Sequence, residues 1–231
     1  MKRMAIAAVG LALAVSADVG CRPQEIAVER VLEVTPTAEP VEVSRTAEPV
    51  DATLRRFESS QGYEVDVPSD WAIVPNILSG EPGDLGGSAV SGDTFIAPGR
   101  GISIAQAAHS GEIDWEEYGR QASQLADWAA IAVVGFDWPY GSMNMQGEIA
   151  SLGSDPEDTI LGHEEIVVDG REALLYYYTG PAPGMTGLWD HATVLVVSKG
   201  RYWGMGLTTS LGRLQDFLPV FETAYTSFDA R

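Results

Sequence analysis

Apolar and charged side chains alternate along several short segments, and this pattern predicts strands. Residues 63–68 read YEVDVP, so one side of the segment is apolar and the other acidic, as in a strand with one face in water. Pro98-Gly99 marks a turn between two further extended segments. The strands predicted in the first half of the aromatic-rich region are 63–68, 72–77, 94–97 and 101–107.

Two hairpins are predicted in the second half of the chain. Asp169-Gly170 is a two-residue turn of the kind that joins antiparallel strands, here 164–168 and 171–179. Lys199-Gly200 separates 191–198 from 201–209 in the same manner. A shorter strand is predicted at 149–152 and is expected to pair beside 164–168.

Apolar residues spaced by three and four positions predict two helices. Asp114 is the expected N-cap of the first, with Glu117 three residues on, and this helix is expected to reach about Ala129. Asp216 is the expected cap of the second, which places Pro219 in a first turn where its missing N–H is not needed. Helices packed on an antiparallel sheet make this an α+β domain.

The N-terminal apolar run predicts a signal peptide over residues 1–20. Two cations at Lys2 and Arg3 precede an uncharged stretch that ends at Asp18, which is too short for a membrane span of about 20 residues. Cleavage after Ala17 would give a secreted protein. The alternative is Val19-Gly20-Cys21, which resembles the end of a bacterial lipobox, with Asp18 where that motif usually has Leu.

Cys21 is the only cysteine of the chain, so it has no internal disulfide partner. Residues 22–56 contain no histidine that could act as its base. A free thiol outside the cytosol is exposed to oxidation, and a lipid attachment site explains the residue better. Lipidation would anchor the protein on the outer face of the cell membrane.

Residues 21–56 are predicted to be the lipid-attachment cysteine followed by a disordered stalk. Residues 22–53 contain no aromatic residue and four prolines, and TAEPVE at 37–42 nearly recurs as TAEPVD at 46–51. Such composition favours an extended spacer. The alternative is a strand at 27–34 that docks on the domain.

Residues 57–231 are predicted to form a single domain. They contain 25 Asp and Glu against 7 Lys and Arg, and so strong a negative charge repels nucleic acid. The charge by itself is equally consistent with solubility and with attraction to a cation or a basic partner.

Short motifs in this region resemble the PsbP-like group, whose fold is shared with the Mog-type proteins and certain bacterial lipoproteins. The order of Phe57, Gly62-Tyr63, a strand ending in Pro68-Ser69-Asp70-Trp71, the 168–173 turn VDGREA and a closing Ser227-Phe228 carries the resemblance. It implies an α/β/α sandwich and an accessory or binding role rather than an enzyme. Residues 131–162 are interpreted as an insertion relative to that group.

The sequence contains no motif that predicts catalysis or a cofactor. The nucleophile elbow, the His-Glu-x-x-His and EF-hand metal motifs, the phosphate loop and the Rossmann glycines are all missing. The chain is therefore expected to be non-catalytic, with no cofactor.

One acidic segment is a candidate cation site. It contains the weak metal-ligand candidates Asp155, Glu157, Asp158 and His163, and it is expected to share one end of the sheet with residues 180–191. A solvated acidic loop is the preferred explanation, because charge runs are usually solvated. The sharper alternative is a cation-binding protein or cation-dependent hydrolase that uses loops 153–165 and 180–191.

Large apolar side chains in two segments are candidates for ligand or partner binding. They are Trp138, Tyr140 and Met143 in the first segment and Met185 and Trp189 in the second. The first segment could form an exposed recognition patch or fold back as a lid over the core. Together these features predict a surface-tethered binding module with a small-molecule or protein partner in the cell envelope and no nucleic-acid partner.

Overall fold

A computed structural model describes residues 53–75, 91–138, 140–182 and 185–231. The predicted signal peptide, Cys21 and nearly all of the predicted stalk lie outside these ranges. None of the helices inside them has both the length and the apolar character of a membrane span. The described elements are β1 Leu54–Ser59, β2 Tyr63–Pro68, β3 Ala72–Pro75, β4 Ser91–Ile96, α1 Arg100–Ser110, α2 Trp115–Ala122, β5 Ala129–Asp137, α3 Met145–Ser151, β6 Thr159–Val168, β7 Arg171–Pro181, β8 Leu188–Ser198, β9 Arg201–Ser210, α4 Leu214–Ser227 and β10 Asp229–Ala230.

Two antiparallel sheets organise these elements. Seven strands form the larger sheet in the order β3-β4-β5-β9-β8-β7-β6, and three form the smaller in the order β1-β2-β10. Helices pack on both sides of the larger sheet. The α+β prediction is therefore confirmed.

Face A of the large sheet packs against the small sheet and α4. Because side chains alternate along a strand, residues such as Ile131, Val194 and Met205 all point to this side. Tyr63 of β2 and Phe228 after α4 close over them in one continuous apolar cluster. This cluster is the main core of the domain.

Face B is covered in two separate places. Near β3 and β4, α1 and α2 pack through residues such as Ile104 and Tyr118 against the sheet. Near the ends of β5, β8 and β9 that meet the 199–200 turn, residues such as Met145 and Ile149 pack against Phe136, Leu195 and Tyr202. Between these two clusters lies a row of strand residues with polar or small side chains.

Both predicted hairpins are present. Asp169 and Gly170 adopt φ values of 52° and 67°, and Lys199 and Gly200 adopt 52° and 76°. Positive φ at both central residues matches the right-handed twist of the flanking strands, which is why such turns join hairpins. From its turn, the β6–β7 pair keeps one register as far as the bulge beside Gly162. The β8–β9 pair keeps one register along its whole length.

The strand predicted at 101–107 is wrong, because this segment lies in α1. Ile102 and Ile104 suggested alternation, but the buried positions are Gly101, Ile104, Ala105 and Ala108, which share one helix face. Gly111, at φ 79°, ends the helix in the left-handed conformation that favours glycine.

The helix predicted for 114–129 is right at its start and wrong at its end. Asp114 is the N-cap and accepts the Glu117 N–H at 2.8 Å, as expected. The helix stops at Ala122, because Ala129 begins β5, a strand paired on both sides within the large sheet. Sheet pairing therefore outweighs the helical apolar spacing after residue 122.

The 149–152 strand and the 131–162 insertion are also corrected. Residues 131–137 belong to β5, which is central to the sheet, and 149–151 belong to α3. The strand at the edge beside β7 is β6 alone. The apolar residues that suggested a strand instead pack from a short helix onto face B.

Two boundaries shift as well. Leu214 begins α4, so Asp216 is the third helical residue rather than the cap, and it pairs with Arg213. Pro219 therefore lies beyond the first turn. At the other end of the domain, β1 begins at Leu54, inside the range assigned to the stalk, because six of its residues pair with β2.

Candidate functional site

A cavity of about 490 Å³ lies between α3, the loop at 152–158 and face B of the sheet. The sheet contributes Ile160, Tyr176 and Leu195 to its lining, and α3 and the loop contribute Glu148 and Asp158. The volume lies within the range of about 300–1,000 Å³ that is usual for small-molecule pockets. Its lining is mixed, with apolar side chains beside carboxylates, hydroxyls and an amide.

Local capping positions α3 over this cavity. The Asn144 side chain accepts the Gly147 N–H at 3.2 Å and so satisfies one of the free donors at the start of the helix. A Cβ atom at Gly147 would lie 2.6 Å from the Asn144 side-chain amide, so a larger residue there would require this amide to shift. Met145 and Ile149 pack on the sheet, which directs α3 onto face B.

Glu148 and Asp158 are half-buried carboxylates of the cavity. Burial raises the pKa of Glu148, against a smaller lowering from the Tyr202 hydroxyl. Burial also raises the pKa of Asp158, and the charges of Asp155 and Glu157 add to that effect. Among the described residues, no lysine or arginine forms an ion pair with either carboxylate.

Asp158 is held against the end of β7. A Cβ atom at Gly180 would collide with Asp158 Oδ1, so glycine at this position lets the carboxylate lie against β7. This contact joins the 153–158 loop to the start of the 180–190 segment. The two loops therefore share one end of the sheet, as predicted from the sequence.

Three stacked rings extend from the cavity along face B. The Tyr176 and Tyr178 rings stack with centroids 5.6 Å apart, and Tyr178 stacks on His191 at 4.4 Å and 11°. His191 Nδ1 lies 3.1 Å from Thr208 Oγ1. Burial lowers the pKa of His191 to about 4, so the ring is neutral at physiological pH.

The pKa of Tyr176 is raised to about 12, mainly by burial. The charges of Asp158 and Glu148 contribute to the same rise. The phenol therefore stays protonated and serves as a hydrogen-bonding group in the cavity wall.

Trp138, Tyr140 and Met143 lie along one border of the same region. Trp138 lines the cavity, packs on Tyr202 at 5.1 Å and donates its indole N–H to the Ser142 carbonyl at 3.1 Å. Met143 packs against the same cluster of buried residues. Tyr140 stacks edge-on against Trp138 at 5.1 Å and remains 75% exposed.

Met185 and Trp189 lie elsewhere. Both are buried in the cluster beneath α1 and α2, where the Trp189 ring contacts Trp128 at 5.5 Å. The structure thus separates them from Trp138 and Met143, with which the sequence analysis grouped them.

The four cation candidates are only partly brought together. Asp155 and Asp158 line the cavity, whereas Glu157 is exposed and His163 lies exposed on the edge strand β6. Asp155 accepts the Glu157 N–H at 3.0 Å in a local turn. Across the ranges that the structure describes, no three His, Cys, Asp or Glu side chains are grouped so as to hold a metal ion.

Two cavity residues escaped the sequence analysis, Glu148 and Tyr176. Glu148 was missed because its segment was read as a strand, although Asn144 three residues before Gly147 is a capping signal. Tyr176 and Tyr178 alternate along a predicted strand and so share one face, which is a usable signal for a wall of rings.

The arrangement provides several groups that can contact a bound molecule. It offers negative charge at Glu148 and Asp158, a phenol donor at Tyr176 and the ring of Trp138. His191 is stacked and buried beside the cavity, outside its lining.

No protein-family model and no curated protein matches the chain. Among solved structures, it is similar to cyanobacterial PsbP (CyanoP) from Synechocystis sp. PCC 6803, with 14% identity, a TM-score of 0.43 and coverage of 85% of this chain and 100% of that one. It is also similar to PA94, a protein of unknown function from Pseudomonas aeruginosa, with 14% identity, a TM-score of 0.42 and coverage of 77% and 97%.

A third similar structure is a protein from Bacteroides thetaiotaomicron VPI-5482. Identity is 10%, the TM-score is 0.40, and the match covers 76% of this chain and 48% of that one. The similarity in all three cases concerns the fold.

Proposed function

We propose that the chain is a non-catalytic binding module, tethered by lipid on Cys21 to the outer face of the cell membrane, that takes a small ligand into the cavity beside α3. The observation that carries the binding role is that cavity, whose volume of about 490 Å³ suits a small molecule. Its lining combines apolar and aromatic side chains with carboxylates, hydroxyls and an amide that can orient a bound ligand.

The tether is supported by the order of segments in the sequence. A signal-like run precedes Cys21, and residues 22–53 separate that cysteine from β1, which begins at Leu54. At about 3 Å per residue for an extended proline-containing chain, such a spacer would hold the domain several nanometres from the membrane. A diacylglycerol group would supply enough buried methylenes for stable anchoring.

Metabolic labelling with a fatty-acid analogue tests the tether. Label should appear on the full chain and disappear in Cys21→Ser, and mass spectrometry should find the lipid on residue 21. Unmodified Cys21, or a mature chain that starts at Asp18, would contradict it.

A ligand screen by melting temperature tests the binding role. A ligand at 100 times its Kd should stabilise the full chain by about 2.7 kcal/mol. Ser154→Phe, which adds a ring to the cavity lining, should abolish the shift, while Ser110→Phe, at the end of α1, should keep it. An unchanged shift in Ser154→Phe would show that binding occurs elsewhere, and turnover of a ligand by the purified chain would contradict the non-catalytic role.

A further inference from the structure

We infer that the cavity beside α3 selects an organic ammonium ion, that is, an amine carrying an apolar or aromatic group. This inference rests on the proposed function, because it names the class of ligand that the same cavity would take.

Charge is the first selective feature of the lining. Glu148, Asp155 and Asp158 all contribute to it, and none of the lysines, arginines or histidines in the described ranges does. Glu148 and Asp158 are half-buried, and the described residues provide neither with a basic partner. A cation placed between them would replace the water that now has to solvate their charges, whereas an anion would be repelled.

Aromatic rings are the second feature. Trp138 and Tyr176 both line the cavity, together with the apolar side chains of Leu152, Ile160 and Leu195. A ring face attracts an ammonium group, and Trp is the strongest of these partners. The apolar side chains suit the carbon skeleton of an organic cation rather than a bare ion.

The distribution of possible metal ligands distinguishes an organic cation from a metal ion. In the described part of the chain, no group of three His, Cys, Asp or Glu side chains is placed to hold a metal. Calcium requires six to eight oxygen ligands, and half-buried carboxylates on a helix and a separate loop do not form such a shell. An ammonium group needs only a few acceptors and a ring.

The effect of burial on the two carboxylates also supports an ammonium ligand. Burial raises the pKa of both Glu148 and Asp158, which means that the site as it stands disfavours their ionised forms. A bound ammonium ion would favour those forms. Binding of an ammonium ion and ionisation of the two carboxylates therefore favour each other.

Three compounds with similar skeletons test the inference on the full chain in detergent. Phenethylammonium is the cationic probe, 2-phenylethanol its neutral counterpart and phenylacetate its anionic counterpart, each titrated by isothermal calorimetry with calcium as a fourth ligand. We expect phenethylammonium to bind more tightly than the other three. For so small a probe a Kd in the high micromolar to millimolar range, about −4 to −5 kcal/mol, is reasonable.

Three variants locate the site. Glu148→Gln should weaken phenethylammonium binding by about tenfold or more, the usual effect of losing a hydrogen bond to a charged group. Asp158→Asn provides a second, independent variant if Glu148→Gln lowers the melting temperature. Glu222→Gln, on the exposed side of α4 and on the opposite face of the sheet, is the matched control and should bind like the parent.

The outcomes distinguish a failure of the ammonium inference from a failure of the proposed ligand-binding function. Equal or tighter binding of phenylethanol or phenylacetate, lost in Ser154→Phe, overturns the ammonium inference and leaves a ligand-binding cavity. Calcium binding that depends on Asp158 in the absence of ammonium binding also overturns it, in favour of a metal site. Phenethylammonium binding that is unchanged in both Glu148→Gln and Asp158→Asn overturns it as well, because the cation then binds elsewhere.

Discussion

The two faces of the large sheet are built from the same strands but buried in different ways. On face A, Trp203 packs between Tyr63 and Phe228, with ring centroids 5.4 and 5.5 Å away, inside one continuous apolar cluster. On face B, two clusters are separated by a row that contains Tyr178, His191 and Thr208.

The contrast assigns different roles to the two faces. Burial of rings on face A is favourable, at about 25 cal/mol for each Å² of apolar surface. Burial of a titratable ring on face B costs stability below pH 6.5, because removal of His191 from water excludes a proton that the unfolded chain takes up there. Buried groups with shifted pKa values tend to occur at functional sites. Glu148, Tyr176 and His191 are such groups and lie in or beside the cavity, although Tyr63 and Tyr118 are shifted by burial in other parts of the fold.

Truncation of the central ring on face A should give the largest effect. Trp203 is 1% exposed, so Trp203→Ala leaves a large void and should lower the free energy of unfolding by about 4 kcal/mol, measured by urea denaturation. Trp138, on the border of face B, is only partly buried, and Trp138→Ala should cost about half as much. Equal losses would show that the two faces contribute alike to stability.

The buried histidine should make the stability of the domain dependent on pH. Above pH 6.5, His191 is neutral in both folded and unfolded chains. Between pH 6.5 and about 4, the unfolded chain takes up a proton that the folded chain excludes, so the free energy of unfolding falls as the pH falls. The shift from 6.5 to about 4 corresponds to a loss on the order of 3 kcal/mol across that range.

Urea denaturation at pH 7, 5.5 and 4 measures this loss. His191→Gln should be less stable at pH 7, because the stack on Tyr178 changes, but its stability should decline less between pH 7 and 4. His163→Gln, exposed on β6, is the control and should retain the slope of the parent. Parallel curves for His191→Gln and the parent would mean that His191 titrates normally.

Sequence patterns predicted the hairpins better than the rest of face B. The β6–β7 and β8–β9 pairs combine alternating side chains with Asp-Gly and Lys-Gly turns, so local and long-range preferences agree. In α1 and α3 they conflict. Ile102 and Ile104 favour a strand locally, and only the packing of Ile104 and Ala105 against the sheet shows that α1 is a helix.

The cavity could be anticipated only in part. Asp158 was identified because charges cluster in its segment, and the shared end of loops 153–165 and 180–191 followed from the hairpins. Glu148 and Tyr176 meet Asp158 only through the folding of α3 onto β7, a contact between residues far apart in the chain. Periodicity within a short window cannot indicate such a contact.

The contact between Asp158 and Gly180 provides a smaller test on face B. Gly180→Ala places a Cβ atom against the Asp158 carboxylate, and the resulting overpacking should cost about 2 kcal/mol. Gly162→Ala is the matched control, because a Cβ atom there meets nothing within 4 Å, and it should be nearly neutral. Urea denaturation measures both, and a neutral Gly180→Ala would mean that Asp158 can move away from β7 freely.

Removal of the exposed ring at the border of face B should have the smallest effect. Tyr140 is 75% exposed and touches the fold mainly through the edge of Trp138, so Tyr140→Ala should change the free energy of unfolding by less than about 0.5 kcal/mol. Trp138, which donates to Ser142 and packs on Tyr202, should keep its place, and its indole N–H signal in NMR should shift only slightly. A loss above about 1 kcal/mol would contradict this and make Tyr140 part of the cover over the Tyr202 cluster. Tyr140 would then help to hold Trp138 against the cavity, and its substitution should weaken ligand binding as well as stability.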